Sequence, residues 1–230
     1  MNEDQFKVAI DCIIFGFDQS DEKLKLLLIK RDFNPGKGKW SLMTGFLKYS
    51  ETFDEAANRI LKDQTGIQDI YLEQLHAYSG KLQEDKLHSV AISYFALINI
   101  HEKGLLTQNH SAAWFTLDEK PGLVFDHGKM VSKAILRLRR RTITKPIGFR
   151  LLPKKFTIRQ LLRLYEEIWE QEFDRRNFIK KINSLDILVK LNEKDKTSSR
   201  KGSFLYQFDR DKFLSLEKEG FTFIAKRKNQ

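Results

Sequence analysis

Short apolar runs, separated by turn-forming residues, fill the chain from Val8 to about Thr116. VAIDCIIFGF and KLKLLLIKR flank the polar stretch DQSDE, and SVAISYFALINI and AAWFTL follow later. Runs rich in Val, Ile, Tyr and Phe predict β-strands, and the first two predict a hairpin-like pair. Between them, Thr52 and Glu55 form a capping box that begins a helix over FDEAANRILKDQTG, which ends at Gly66. This pattern predicts a mixed α/β domain built around one helix.

The polar and apolar pattern changes after this region. FDHGKMVSKAILRLRRR predicts a second helix, with Asp126 as its N-cap and a cationic last turn that suits the helix dipole. The next stretch, TITKPIGFRLLPKK, contains two prolines and a glycine, which interrupt regular structure. We therefore place the join between two domains here, with the first domain at 1–145 and the second at 146–230.

The last third of the chain has a helical period followed by strand-like alternation. TIRQLLRLYEEIWEQ starts with a capping box of Thr157 and Gln160 and predicts a helix with one apolar face. DRRNFIKKINS predicts a second helix, capped by Asp174. DILVKLNE and SFLYQFDR alternate like two strands joined by the basic loop KDKTSSRKG. A helix, a short turn, a basic helix and a β-hairpin with a cationic tip predict a small winged helix-turn-helix domain.

The distribution of charge gives the first indication of function. The formal net charge of the 230 residues is +10. Up to Phe149 there are 21 Lys and Arg against 19 Asp and Glu, whereas from Arg150 onward there are 20 against 12. A basic excess on one small segment favours a polyanionic partner, with nucleic acid ahead of a membrane surface. The alternative is a solvated basic surface that serves solubility alone.

Other features of the composition exclude several classes of protein. No run of ~18 apolar residues occurs, so we expect no membrane-spanning helix, and the acidic opening MNEDQ predicts no secretory signal. Cys12 is the one cysteine, which excludes an internal disulfide and predicts a cytoplasmic location. No Cys/His cluster has the spacing of a zinc site. We expect neither a metal nor another cofactor.

The segment GFLKYSETFDEAANRILKDQTGI resembles the Nudix box, a pattern of fixed Gly, Glu and Arg positions followed by clustered carboxylates. Six residues match the fixed positions of this pattern without gaps: Gly45, Glu51, Arg59, Leu61, Gly66 and Ile67. The positions of its clustered carboxylates hold Ile60, Asp63 and Gln64. The flanking stretches GKWSLMTGF and AWFTLDEKPGLVFDH also look like Nudix domains. The resemblance implies a Nudix fold, with a mixed sheet and flanking helices.

The chemistry of this box does not follow its frame. A Nudix hydrolase needs several oxygen ligands on one helix face for Mg²⁺, and a base that activates water. Ile60 stands where the family has its first carboxylate after the Arg, and Gln64 is neutral, so Asp63 is left as a weak single anchor. Thr44 also replaces the usual glycine before Gly45. We therefore expect no catalytic residues, and interpret Ile60 as part of an apolar surface.

The combination of an eroded Nudix box with a winged helix resembles the Nudix-related transcriptional regulators of the NrtR family. The junction FDH and the stretch from LLPKKFTIRQLLRLYEEI to DRRNFIKKI carry this resemblance. DCIIFGF, WSLM and KPIGF are also similar to the sugar-responsive, AraR-like branch. The resemblance implies a homodimer that binds double-stranded operator DNA and responds to a small molecule. A pentose such as L-arabinose or xylose is the first expectation for this effector, and an ADP-ribose-type nucleotide is the second.

The second helix of the winged domain supplies the candidate DNA contacts. Arg175, Arg176 and Asn177 lie in its first turn, the part that reaches base edges in the major groove. Arg and Asn make bidentate pairings with guanine and adenine. Further basic residues suit phosphates and position the protein without reading sequence; these are Lys180, Lys181, Arg200 and Lys201. The alternative for each residue taken alone is a solvated surface charge.

The candidate effector site lies over the sheet beside the box helix, where the resemblance places the pocket of a Nudix domain. Its candidate residues combine an aromatic face with hydrogen-bonding groups; they are Asp11, Arg31, Trp40, Thr44 and Phe125. Each has a structural alternative: Trp40 as plain core, for example, or Asp11 paired with Arg31 so that neither charge is buried alone. His127 is interpreted as a structural residue at a helix N-terminus.

Two rival functions stay open from the sequence. An active Nudix hydrolase of ADP-ribose or nucleoside diphosphate derivatives would use the box frame together with Asp63 and Glu51. An RNA-binding module is the other alternative, although the aromatic signature of sheet-based RNA binders is missing from the sequence.

Overall fold

A computed structural model describes residues 7–66, 68, 70–81, 88–100, 111–196 and 201–218. Contacts divide the chain into two units, the first made of residues up to Gly16 and Lys25–Ile135, the second of Phe17–Leu24 and the chain from Leu136 onward. In the described residues, no helix is both long and apolar enough to cross a membrane. The predicted boundary between 145 and 146 remains a prediction.

A seven-stranded sheet contains the strands of the first half of the chain. They are β1 (Lys7–Asp18), β2 (Lys23–Lys30), β3 (Trp40–Ser41), β4 (Met43–Phe46), β5 (Tyr71–Lys81), β6 (His88–Asn99) and β7 (Ser111–Thr116). The order β3-β2-β1-β6-β5 forms its main path, while β4 pairs with β1 and β7 pairs with β2. β4 runs antiparallel to β1, with Thr44 opposite Asp11 and Gly45 opposite Ile10. This register puts Asp11 and Thr44 on the same face of the sheet.

Helix α1 (Phe53–Thr65) covers the other face of this sheet. Ile10, Cys12 and Ile14 of β1 alternate toward the helix and form one cluster with Ala57 and Ile60. Because side chains alternate along a strand, Asp11 points to the face opposite α1. Helix α2 (His127–Thr144) follows the sheet strands in sequence. It runs three residues beyond the predicted helix, into the stretch that we predicted to be irregular.

The second unit contains the predicted winged helix-turn-helix. Its elements after α2 are a short 3-10 helix (Ile147–Leu151), β8 (Phe156–Thr157), α3 (Ile158–Trp169), α4 (Arg175–Ser184), β9 (Leu188–Asp195), β10 (Ser203–Phe208) and α5 (Arg210–Lys218). β8, β10 and β9 form a three-stranded sheet in that order. Both predicted caps are present: Thr157 with Gln160 forms a capping box, and Asp174 accepts from the Asn177 amide. The predicted fold class is confirmed for both parts of the chain.

The sequence analysis missed β3, β4, β5, the 3-10 helix, β8 and α5. The two longest of these are β5 and α5. Leu75 is the one apolar side chain of β5 that is classed as buried among the described residues, at 8% exposure. The hydrophobic pattern of β5 is therefore weak, and its pairing with β6 defines it. α5 follows β10 at the end of the described chain and buries Phe213.

Candidate effector pocket and DNA-contact surface

The frame of the box helix is built as its sequence predicts. Thr52 and Glu55 cap the N-terminus reciprocally, and Gly66 adopts a left-handed φ of 71° where its amide bonds the Lys62 carbonyl. Arg59 donates two hydrogen bonds to the Glu51 carboxylate, one from Nε to Oε2 at 2.8 Å and one from Nη2 to Oε1. Arg59 also donates to the Phe46 carbonyl oxygen at 2.9 Å. These bonds tie the loop before α1 to the helix.

Glu51 is held in its charged form by this arrangement. The hydrogen bond from Arg59 lowers the pKa of Glu51 from 4.5 to about 2, and the amide of Lys48 adds a second bond at 2.7 Å. Both carboxylate oxygens of Glu51 are therefore engaged within the loop and helix. Glu51 would have to give up these hydrogen bonds in order to bind a cation.

Ile60 is 2% exposed and packs into the core, so our interpretation of it as apolar surface is wrong. A Cβ added at Gly45 would lie 2.7 Å from Ile60 Cγ1, closer than real Cβ atoms approach a neighbour. Gly45 is therefore needed because Ile60 fills the space over β4. The position where a Nudix hydrolase has a carboxylate contributes apolar contact here.

The remaining two positions of the expected carboxylate cluster do not form a metal site. The Gln64 amide donates to the Thr44 carbonyl oxygen at 2.7 Å, while the Asp63 side chain is 61% exposed and 4.0 Å from Arg59. Mg²⁺ prefers several converging oxygen ligands. Among the residues that the structure describes, no group of three or more His, Cys, Asp or Glu side chains is placed to hold a metal ion. The residues present do not fit the ion.

Asp11 has a buried partner that the sequence did not predict. Its carboxylate lies 3.5 Å from Nε2 of His127, and both side chains are 4% exposed. The other ring nitrogen, Nδ1, accepts a hydrogen bond of 3.0 Å from the Leu42 amide. Since Nδ1 accepts, Nε2 carries the ring proton and faces Asp11. The pair fixes the start of α2 against β1 and the residue after β3.

Arg31 is enclosed by aromatic side chains. Its guanidinium carbon is 4.1 Å from the ring centre of Phe33 and 5.4 Å from that of Phe125. Nε donates to the Pro35 carbonyl oxygen at 2.8 Å. Burial lowers the pKa of Arg31, and the charge of Asp11 opposes that shift. Arg31 therefore orders the loop after β2 and supports the exposed ring of Phe125.

The structure does not bring all five candidate effector residues to the cleft beside Phe125. Trp40 packs edge-on against Phe115 at 4.8 Å, and Thr44 lies in β4, where its carbonyl oxygen accepts from Gln64. Phe125 is 60% exposed at a positive φ of 54°. It borders an open cleft of about 410 Å³, which is lined by Pro35, Gly36, Lys39 and Gly122–Phe125. Of the five, only Phe125 lines this cleft, and Lys39 was missed because an isolated surface lysine carries no signal in the sequence.

The winged helix presents α4 to solvent. On α4 only Ile182 is fully buried, and Phe178 packs 5.7 Å from the ring of Tyr165 on α3. Arg175, Arg176 and Asn177 in the first turn are exposed, as is Lys180, whereas Lys181 is partly buried. No salt bridge of the described residues involves Arg175, Arg176 or Lys180. Their charges are available to a polyanion.

The wing hairpin has the cationic tip that the sequence predicts, together with lysine–aromatic contacts that the sequence analysis did not name. Lys190 and Lys194 of β9 both lie over the half-exposed ring of Phe204 on β10, at 3.8 Å and 4.6 Å from its centre. Lys201 is exposed in the turn of the wing. Arg200, the other predicted phosphate contact in this turn, lies outside the described residues. The sequence signal of this surface is a pair of lysines four residues apart on β9, which lie on one face of the strand, with a Phe opposite them on β10.

Family models match both parts of the chain. Residues 5–134 match the NUDIX domain, and residues 148–208 match the NrtR DNA-binding winged helix domain. The chain is 30% identical over 207 residues to a protein of Acinetobacter baylyi named ADPR responsive transcriptional repressor NtrR, covering 87% of this chain and 81% of that protein. It is 33% identical over 124 residues to an ADP-ribose pyrophosphatase of Methanocaldococcus jannaschii, covering 54% of this chain and 70% of that protein.

Solved structures agree with the fold. NrtR of Shewanella oneidensis in complex with a 27mer DNA superposes with a TM-score of 0.80 at 22% identity, over 95% of this chain and 98% of that chain. Its NUDIX domain in complex with ADP ribose superposes with a TM-score of 0.50 at 26% identity, over 58% of this chain and 89% of that chain. The names of these relatives refer to ADP-ribose, so our expectation of the sugar-responsive, AraR-like branch is not supported.

Proposed function

Because the chain belongs to the NrtR family, a NUDIX domain followed by an NrtR winged helix domain, we propose that it is a transcriptional repressor that binds operator DNA and responds to ADP-ribose. The repressor of Acinetobacter baylyi, by its name, responds to ADP-ribose. We transfer both the sign of regulation and the effector from that relative. ADP-ribose replaces the pentose as the first candidate.

The observation that carries the DNA-binding half is the exposed first turn of α4. Arg175, Arg176 and Asn177 stand there on a helix that Asp174 caps and Ile182 anchors. The N-terminal residues of a recognition helix contact base edges in the major groove. Lys180, Lys181 and Lys201 are suited to phosphate contacts, which fix the register of a protein on DNA.

The effector site is proposed at the cleft beside Phe125. The exposed ring of Phe125 offers a face on which an adenine can stack, as aromatic rings prefer offset stacking. Lys39 on the rim supplies a positive charge for a diphosphate. Asp11 and Arg31 are buried beneath this loop region and act on the ligand through the loop that they order. Trp40 supports the cleft through its backbone, which accepts from the Val124 amide at 3.1 Å.

The NUDIX domain of this protein is proposed to bind its ligand without hydrolysing it. Ile60 can neither ligate a metal nor accept a proton, and Gln64 directs its amide nitrogen to a backbone carbonyl. Asp63 is exposed and Glu51 is engaged by Arg59. A sensor that leaves its ligand intact keeps a signal that reflects the concentration of that ligand.

We further propose a homodimer and a domain boundary near residue 145. Helix-turn-helix dimers bind two half-sites about one helical turn apart, so operator symmetry mirrors protein symmetry. The NUDIX match ends at residue 134 and the winged helix match begins at residue 148, which supports a boundary between them. Light scattering coupled to gel filtration tests the dimer, and a monomer bound to an operator half-site would contradict it.

Fluorescence anisotropy tests the main proposal. Labelled promoter DNA from the protein's own operon is titrated with the full chain, against a random duplex of equal length. Specific binding should be tighter than binding to the random duplex, and should weaken with log[salt] because counterions are released from the DNA. Saturating ADP-ribose should weaken operator binding, by about 5- to 150-fold for a typical allosteric coupling. L-Arabinose and D-xylose serve as controls. Equal affinity for both duplexes would contradict the proposal.

The rival function is hydrolysis of ADP-ribose, which the name of the Methanocaldococcus relative favours. It predicts Mg²⁺-dependent turnover that Asp63→Ala abolishes, since Asp63 is the one exposed carboxylate at the expected ligand positions. The assay follows AMP release by chromatography with enzyme in excess over ADP-ribose. AMP release by the wild type that Asp63→Ala removes would establish the hydrolase and contradict the sensor without catalysis.

A further inference from the structure

The turn between β1 and β2 is ordered by its own side chains. Oδ1 of Asp18 accepts from the amide of Ser20 at 2.9 Å and from its hydroxyl at 2.6 Å. Oδ1 of Asp21 accepts from the Lys23 amide at 3.2 Å, and Glu22 adopts a left-handed φ of 56°. Local side-chain bonds of this kind fix turn geometry. The turn therefore presents Glu22 and Lys23 in a defined direction.

These two side chains form an ion-pair network with α3. Glu22 lies 3.4 Å from Nε of Arg159 and 3.3 Å from Nε of Arg163. Lys23 Nζ lies 3.0 Å from Oε1 of Glu167. Arg159, Arg163 and Glu167 are spaced by four residues, so they share one face of the helix. We call these five residues the turn–α3 network.

Two further contacts extend the network. The Leu24 amide donates to Oε2 of Glu167 at 3.4 Å, and Nε2 of Gln160 donates to Oε1 of Gln19 at 3.1 Å. Gln160 also caps α3, because its Oε1 accepts from the Thr157 amide at 2.8 Å. A glutamine at this capping position can serve both contacts, since its amide has a donor as well as an acceptor.

The network holds α3 on the face opposite its core. Leu161, Leu164 and Ile168 are fully buried on the apolar face of the helix. The charged face, which a sequence analysis would assign to solvent, contacts the turn. Because α4 follows α3 after a short turn and packs on it through Phe178 and Tyr165, a displacement of α3 displaces α4.

Stability does not explain this network. Its side chains are a quarter to half exposed, and ion pairs at such exposure contribute little to folding. The turn joins β1 and β2. Asp11 lies on β1, and β2 ends directly before Arg31. The division of the chain nevertheless groups Phe17–Leu24 with the winged helix. The turn is therefore the point at which the strands of the sensing domain enter the unit that binds DNA.

We propose that the turn–α3 network couples effector binding to operator affinity, with Glu22 and Glu167 as its positioning residues. This inference rests on the proposed function, because it requires an effector and an operator. Coupling between distant sites requires contacts with two alternative arrangements that both sites bias. Ion pairs that contribute little to stability can be exchanged at little cost, which suits such an element.

The test compares two double variants of the full chain with equal charge change. Glu22→Gln/Glu167→Gln removes both carboxylates of the network. Asp186→Asn/Glu193→Gln is the matched control, because it removes two carboxylates from exposed ion pairs of the same unit, with Lys212 and Lys155, each at 2.7 Å. Asn tolerates the left-handed φ of 49° at position 186. Operator Kd is measured by anisotropy with and without saturating ADP-ribose, and ADP-ribose binding by calorimetry.

In the network variant, the factor by which ADP-ribose changes operator Kd should fall about 2- to 30-fold, the range for mutations along a coupling network, while both ligands still bind. The control should keep the wild-type factor, since its added positive charge strengthens DNA binding equally in both states. An unchanged factor in the network variant would overturn the inference.

A second outcome is that ADP-ribose leaves the operator Kd of the wild type unchanged while operator binding stays specific. That result would contradict ADP-ribose as the effector, but it would not contradict the network. Amide hydrogen exchange of the peptide covering residues 17–24 then decides. Faster exchange in the network variant than in wild type and control supports the network. Equal exchange in all three proteins overturns it.

Discussion

Helices α1 and α4 have similar lengths and opposite uses of their polar side chains. On α1, Arg59 is bound to Glu51 and the Phe46 carbonyl, and Gln64 to the Thr44 carbonyl. On α4, Arg175, Arg176 and Asn177 present their side chains to solvent. The first helix is tied into its domain, whereas the second leaves its hydrogen-bonding groups for a partner.

This difference separates a structural motif from a functional one. The box frame of α1 persists because its Gly, Glu and Arg positions close a loop and end a helix, whether or not a metal is bound. Clustered positive charges without ion-pair partners repel one another and attract an oppositely charged partner. We therefore assign recognition of the polyanion to α4 and a scaffold role to α1.

The largest effect is expected from breaking the scaffold role. Ile60→Ala removes a side chain that is 2% exposed and should lower the free energy of unfolding by about 2–5 kcal/mol, the range for Ile→Ala in a core. Urea denaturation followed by circular dichroism measures it. The control Lys62→Ala, on the exposed face of the same helix, should change stability by no more than about 0.5 kcal/mol. A small effect of Ile60→Ala on the free energy of unfolding would contradict the scaffold role of α1.

A smaller effect, on binding rather than stability, is expected on α4. Arg176→Ala should raise operator Kd by about 5- to 150-fold, the equivalent of ~1–3 kcal/mol for one bidentate base contact. Anisotropy with operator and random duplexes measures it, and the loss should be larger on the operator. The same charge removed from α1 by Lys62→Ala is the control. An equal loss of affinity for both duplexes would show that Arg176 contacts phosphate and does not read base sequence.

The acid stability of the protein should reflect the Glu51–Arg59 pair. The folded-state pKa of Glu51 is about 2 against an ordinary 4.5. A lowered pKa contributes stability above the unfolded value, and that contribution is lost as pH falls from about 4.5 to about 2. The melting temperature of the wild type should therefore fall more steeply in this window than that of Glu51→Gln. Parallel curves would show that the ion pair does not stabilise the loop.

The smallest effect is expected in the wing. Lys201→Ala should weaken operator and random DNA alike and reduce the slope of log Kobs against log[salt] by about 0.9, the value for one phosphate contact on B-DNA. Anisotropy between about 50 and 200 mM salt measures the slope. Lys48→Ala, an exposed lysine of the first unit, is the control. A preference for operator that disappears in Lys201→Ala would give the wing a role in reading sequence.

Much of both domains was predictable because their signals are local. Capping residues Thr52, Thr157 and Asp174 and the left-handed Gly66 mark helix ends wherever the helix packs. By contrast, β5 was missed because it lies at the end of the sheet path and buries few apolar side chains, with Leu75 the most buried, so its own apolar pattern is weak. The cleft beside Phe125, where we propose the effector site, could not be predicted from the sequence, since its residues come from loops whose positions depend on distant contacts.

The sequence by itself determined the two kinds of domain, the altered Nudix box and the basic helix α4, because helix caps, periodicity and charge act over a few neighbouring residues. Only the tertiary structure decided how single side chains are used. It buried Ile60 beneath Gly45, paired Asp11 with His127 across 116 residues, and brought Glu22 to Arg163. Such contacts join residues far apart in sequence, and their formation depends on the register of strands and the packing of helices.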